Sequence, residues 1–404
     1  MATLVPFRAL RPPPDQAAKV AAPPYDVVSA GEARSLAAGN PDSYLHVSRP
    51  EIDLAEGVDE HSQPVYLRGR ENLDSFRTRG VLRLDPEPRF YVYAQRMGAH
   101  AQTGLVACAS VDEYDRDRIR KHERTRADKE EDRVRHIDAL SAHDEPVFLI
   151  YRSSAAIDAA VDEVKRDAPE YDLVTPDGVS HRLWVVPPAA GKAIAGLFLG
   201  VPALYVADGH HRSAAASRVH AARRGQPGEH GAFLAVVFPH DQMQILAYNR
   251  LVRDPRRRSP QELLSAIRRA MDLEPAGQPA PEAPLSYGVY LGGRWWRARV
   301  RPGTFDAADP VAALDCSIAQ DQLLAPLFGI EDPRTSKDVD FVGGIRGAGE
   351  LERRVKEEGW SLALQLFPTR IEQLLAVSDA GKLMPPKSTW FEPKLRSGLF
   401  VHAF

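Results

Sequence analysis

The apolar run Ala203–Asp208 (ALYVAD) ends in Asp208, Gly209, His210, His211 and Arg212, then passes at once into the strongly helix-forming stretch SAAASRVHAARR. A strand that enters a helix without a connecting loop is a βα unit, and the chain around it repeats that alternation. Val147–Tyr151 (VFLIY) and Leu183–Val186 (LWVV) have strand length, and Phe90–Gln95 and Thr103–Val111 read as an antiparallel pair turning at Met97 and Gly98. Residues 29–40 and 64–79 read as short helices. The charge run Asp112–Arg135, nine acids and nine bases, favours helix from about residue 125, where Thr125 and Asp128 match a capping box. Ala232–Pro239 and Gln244–Val252 read as a hairpin closing this unit. Beyond Asp254 the pattern predicts a helix over 260–272, a Pro/Ala linker over 275–284 and a hairpin turning at Gly292 and Gly293. Helices near 309–326, 347–358 and 369–380 and strands at 339–342 and 362–367 complete it. The fold class is therefore mixed α/β.

A chain of 404 residues implies two or three domains with their own cores. The pattern divides it into an amino-terminal α/β segment (1–100), a core (101–254), an inserted α/β domain (255–380) and a carboxy-terminal motif (381–404) that returns to the core. Cys108 and Cys316 form no CxxC pair, which removes a disulfide framework and a cysteine-rich zinc module and favours a reducing, cytoplasmic setting. The longest uncharged run, Ala193–Ala207, has 15 residues and contains Pro202, too short for a membrane span of about 18. The amino terminus does not read as a signal peptide. A net charge of -3 gives no general drive toward nucleic acid or membrane.

Three constellations carry chemistry. In Asp208–Ser213 a strand delivers a glycine and a basic trio to a helix amino terminus; amide N–H groups, the helix dipole and Arg212 then all favour an anion. The plainer alternative has His210 and His211 capping a turn and Asp208 pairing with Arg212. Adjacent histidines in a strand point to opposite sides, so they supply one metal ligand at most. In Lys121–Thr125, Glu123 is a carboxylate among cations, suited to a general base or simply part of a solvated charge run; position 126 is Arg, so the HExxH zinc pattern fails. In Pro385–Thr389, Lys387, Ser388 and Thr389 read as a phosphate clamp or a polar turn, and the Walker A glycines are absent. Tyr25, Asp26, Tyr44, His46 and Asp53 are rim candidates, and Trp295 and Trp296 read as core.

Four segments resemble a bacterial and archaeal family known as domain of unknown function 1015: Ala21–Val28 (AAPPYDVV), His122–Arg133, Ala207–Arg212 and Met384–Leu399 (MPPKSTWFEPKLRSGL). Three of them are also similar to motifs of the free serine kinase of archaea, which has the ParB/sulfiredoxin fold. That resemblance implies a nucleotide-binding core and transfer of a phosphoryl group from ATP or ADP, with Mg²⁺, to the hydroxyl of a free amino acid, L-serine first. It gives catalytic roles to Glu123 as base, His122 and Asp208. Nucleotide binding falls to Gly209, His210, His211, Arg212 and Ser213, and phosphate or substrate contacts to Lys387, Ser388 and Thr389. The metal ligands and oligomeric state stay open. Sulfiredoxin chemistry needs a cysteine where this chain has His210, and the phosphate motif and helix-turn-helix of ParB are missing, so both activities are excluded. The runner-up is a nucleotide-binding regulatory protein without turnover.

Overall fold

Nine strands of the first unit share one mixed sheet in the computed structural model, which describes residues 2–404. This unit runs to Lys121, resumes over Thr125–Met243 and ends with Pro393–Phe404; the second unit holds His122–Arg124 and Gln244–Glu392. The strands are β1 (Leu4–Val5), β2 (Tyr91–Met97), β3 (His100–Ser110), β4 (Ile119–Arg120), β5 (Val147–Tyr151), β6 (Tyr171–Val174), β7 (Ser180–Val185), β8 (Leu204–Asp208) and β9 (Ala232–Pro239). Their order is β4-β8-β5-β9-β3-β2-β7-β6, with β1 on β3. β4 with β8 and β5 with β9 are parallel, and the other pairs are antiparallel.

Burial explains the central strands. All five residues of β5 are buried, as expected of a strand with neighbours on both edges and cover on both faces. In β3, Gly104 is required by packing, because a Cβ there would lie 2.8 Å from the Phe238 ring. The helix Ala127–Leu140 meets the helix His210–Ala222 through Ile137, Ala215 and Val219.

Several expectations change. β9 makes no hairpin with the next strand: β3 and β5 occupy both its edges, and the chain continues through a 3₁₀ turn over His240–Gln242. The helix Ala127–Leu140 starts from Arg126 without a capping box, since the Thr125 hydroxyl donates to Glu130 Oε2 at 2.7 Å. His210 and His211 open a helix rather than lie in a strand. Residues 1–100 do not build a separate core. Leu10, Val20, Ala22, Tyr44, Leu73 and Phe76 pack in one cluster with Leu140 and Val401, which makes the amino-terminal segment part of the first unit.

The second unit contains β10 (Gln244–Leu246), β11 (Tyr248–Val252), β12 (Asp272–Pro275), β13 (Ser286–Leu291), β14 (Arg294–Arg299), β15 (Val339–Gly343), β16 (Leu362–Leu366) and β17 (Trp390–Glu392). Six of them form an antiparallel sheet ordered β12-β14-β13-β16-β11-β15, while β10 pairs with β17. That last pairing moves the unit's limits to 244 and 392, outside the 255–380 read from the sequence. The β13–β14 turn has Gly292 and Gly293 at φ +62° and +79°, as a two-residue hairpin demands. The helix expected over 309–326 is short (Asp315–Ala319), followed by a π turn (Gln320–Leu324) and Ala325–Phe328. Pro326 has no N–H for the carbonyl four residues back, and the π turn falls just before it.

Candidate anion-binding site

The end of β8 sets the site. Gly209 takes φ +97° as the N-cap of the helix His210–Ala222, and a Cβ there would also meet Arg212 Nε at 3.1 Å, so glycine is needed twice over. An α-helix leaves its first-turn N–H groups without intrahelical acceptors, and its dipole adds positive potential at the same end. Ser213 turns its hydroxyl back onto the carbonyls of Gly209 and His210, so it serves the turn. His211 Nε2 accepts the Arg126 amide at 3.1 Å, which puts the ring proton of a neutral His211 on Nδ1.

Arg212 is 7 % exposed. One Nη donates to the carbonyl of Pro146, the other lies 3.8 Å from Asp208, and Nε has no hydrogen-bond partner. Burial works against its charge, but Asp26, Asp208, Glu145 and Tyr25 outweigh it and hold the guanidinium protonated. Asp208 also accepts Lys394 Nζ at 3.0 Å. Burial opposes that carboxylate too, yet Lys394 and Arg212 hold its pKa well below the usual range. Its two oxygens thus already face cations. A divalent metal at Asp208 would have to displace one of them, and this donor set does not fit Mg²⁺.

Around Arg212 the structure assembles groups whose roles the sequence left unassigned. Glu145, 4 % exposed, accepts the Tyr25 amide at 3.0 Å and the Ser397 hydroxyl at 2.7 Å through Oε1, while Oε2 has no partner. Burial first, and Asp144 second, push its pKa up to about 7. Asp144 pairs with His136 at 3.0 Å, which with Arg133 keeps it ionised against the cost of burial. Arg133 grips Asp132 with Nε and Nη2 at 2.9 and 2.7 Å and lies with Cζ 3.9 Å from the Tyr25 ring centre. His61 and Tyr66 complete the Asp132 shell, each at 2.9 Å. Tyr25, a rim candidate, is therefore a buried member of this cluster. Tyr44 is core, and His46 and Asp53 pair with each other at 2.7 Å. The available signal for Glu145 was three ionisable residues, His143–Glu145, placed just before the all-apolar β5.

The remaining predicted site residues belong to the second unit. His122 is buried, its carbonyl accepts the Met384 amide at 2.7 Å, and its Nε2 lies 3.5 Å from the Thr389 hydroxyl. Glu123 is half-buried. Lys387 adopts φ +57°, with Nζ 5.5 Å from the Tyr248 ring centre. Ser388 is occupied structurally: its hydroxyl donates to the carbonyl of Pro385 at 2.6 Å and lies 3.1 Å from Cys316 Sγ. Both cysteines are free and buried.

Fold and site define a mixed α/β protein with a buried cluster of opposed charges around the strand-to-helix turn at Gly209. The chain belongs to the family described as Protein of unknown function (DUF1015), which matches residues 4–317. No curated protein matches it. Among solved structures it is similar to free serine kinase in complex with AMP, at 9% identity and TM-score 0.36, over 73% of this chain and 92% of that one. SbnI with a C-terminal truncation from Staphylococcus aureus gives 12% identity and TM-score 0.39 over 73% and 86%. A conserved hypothetical protein from Pyrococcus furiosus gives 10% and 0.35 over 73% and 95%. No helix among the described residues is long and apolar enough to cross a membrane.

Proposed function

We propose that this protein is a nucleotide-dependent phosphotransferase acting on the hydroxyl of a free amino acid, with L-serine as the first substrate to test. The observation that carries the reading is the Asp208–Ser213 turn. There a positive-φ glycine opens a 13-residue helix whose first residues are His210, His211 and Arg212, backed by Lys394 on Asp208. Such a turn suits the phosphates of ATP or ADP, because first-turn amides and a guanidinium favour phosphate oxygens. Asp208 then acts by holding Lys394 and Arg212 in place. The charge that develops on the transferred group falls to these donors.

A serine hydroxyl is a weak nucleophile at neutral pH, and a positioned carboxylate that takes its proton as the new P–O bond forms would speed its attack. Sequence resemblance gives that role to Glu123, with Lys387 and Thr389 as phosphate contacts. The test is incubation of the full chain with a nucleotide panel, Mg²⁺ and free hydroxy amino acids, followed by mass spectrometry for a phosphorylated product. Phosphoserine formed by wild type and lost in Glu123→Gln supports the assignment. Nucleotide bound by wild type with no product from any hydroxy compound would instead make it a non-catalytic binding protein.

A further inference from the structure

The second unit contains a half-open cleft of about 270 Å³, close to the lower end of small-molecule sites. Its walls are apolar, with Leu285, Phe305, Pro310 and Ala376, and it carries two opposite charges, Asp315 and Arg370. Asp315 is 7 % exposed. One of its oxygens accepts the Leu285 amide at 2.6 Å. Burial pushes its pKa up to about 6, and the amides of Leu285 and of Asp315 itself, then Arg370, oppose that shift only in part. A buried carboxylate held by two backbone amides and no ion pair keeps room for an opposite charge, and an added ammonium would supply it. Arg370 forms no ion pair among the described residues. It is the N-cap of the helix Ile371–Asp379, whose amino end adds to its attraction for an anion.

The wall is built in advance. Leu285 holds φ +63°, a strained value for a γ-branched residue, and its amide is aimed at Asp315 by that conformation. The Pro310 side is pinned by Asp309, which bonds Lys382 at 2.6 Å and the Val311 amide at 2.8 Å. One cation site, one anion site and an apolar surface within a single cleft select a zwitterion with an apolar substituent.

We infer that this cleft binds a free amino acid with an apolar side chain, its ammonium on Asp315, its carboxylate at Arg370 and its side chain against Phe305 and Pro310. The assignment is independent of any phosphoryl transfer. Isothermal titration of the full chain with L-leucine, L-isoleucine and L-phenylalanine tests it. The controls are 3-methylbutylamine (no carboxylate) and 4-methylpentanoate (no ammonium).

At least one apolar amino acid should bind with one site per chain, and each one-ended analogue about ten-fold more weakly or worse. Asp315→Asn keeps an oxygen for the Leu285 amide and should weaken that binding about ten-fold; Arg370→Gln alters an exposed side chain, leaves the fold intact and should do the same. Absence of binding by all three apolar amino acids would overturn the inference. So would unchanged affinity in Arg370→Gln or in Asp315→Asn.

Discussion

Glu145→Gln isolates the charge of one buried carboxyl. In the folded protein its pKa rises from 4.5 to about 7, through burial and the neighbouring Asp144. A carboxyl with a raised folded pKa favours the native state while protonated. Its contribution is full below pH 4.5 and is lost as pH rises through 7. At roughly 1.4 kcal/mol per unit, ionisation of Glu145 takes about 3 kcal/mol from the wild type by pH 8. Glutamine cannot ionise and keeps an oxygen for Tyr25 N–H and Ser397 O–H, but its amide group replaces the partnerless Oε2, at a cost of about 1 kcal/mol. The variant should therefore be about 1 kcal/mol less stable than wild type at pH 4.5 and about 2 kcal/mol more stable at pH 8. Urea denaturation followed by circular dichroism at both pH values reads the difference. Curves separated by the same amount at the two pH values would refute the reasoning.

Lys394→Met strips Asp208 of its 3.0 Å cation and should cost about 3 kcal/mol, while adding Asp208→Asn should recover more than half of that loss in the same denaturation assay. Gly104→Ala forces the Phe238 ring to move from a 2.8 Å contact and should cost about 1–3 kcal/mol, read as a lower melting temperature. Gly209→Ala meets both φ +97° and the Arg212 side chain, so about 1–2 kcal/mol of stability should go, and with it nucleotide affinity measured by titration calorimetry.

Where an element's own residues decide its structure, the sequence was a sound guide. The runs VFLIY and ALYVAD became β5 and β8, and Gly292–Gly293 became the turn between β13 and β14, because burial pattern and backbone freedom act locally. The Asp208–Ser213 turn was legible for the same reason. What failed was partner choice. Nothing within Gln244–Val252 tells that β10 pairs with β17, some 145 residues away, or that both edges of β9 are already taken. Thr125 matched a capping pattern yet turned to Glu130, an alternative the local code also allows. In the site, Glu145 was missed because its partners, Tyr25 and Ser397, come from opposite ends of the chain.

Those same partners change what the amino-terminal segment is for. The Tyr25 amide satisfies Glu145, its ring receives Arg133, and Asp26 is the strongest of the charges that hold Arg212 protonated. Ala22 and Ser397 exchange backbone hydrogen bonds at 3.1 and 3.0 Å, which fixes the segment beside the returning carboxy terminus. Without Tyr25 the Glu145 Oε1 would keep only Ser397, in a place where an uncompensated carboxylate costs several kcal/mol. The motif at Ala21–Val28 is thus part of the electrostatic balance around Arg212 and Glu145. A net charge of -3 over 404 residues conceals that arrangement, because the buried cations Arg133 and Arg212 are matched by acids both near in sequence, Asp132 and Asp208, and distant, Asp26 and Glu145.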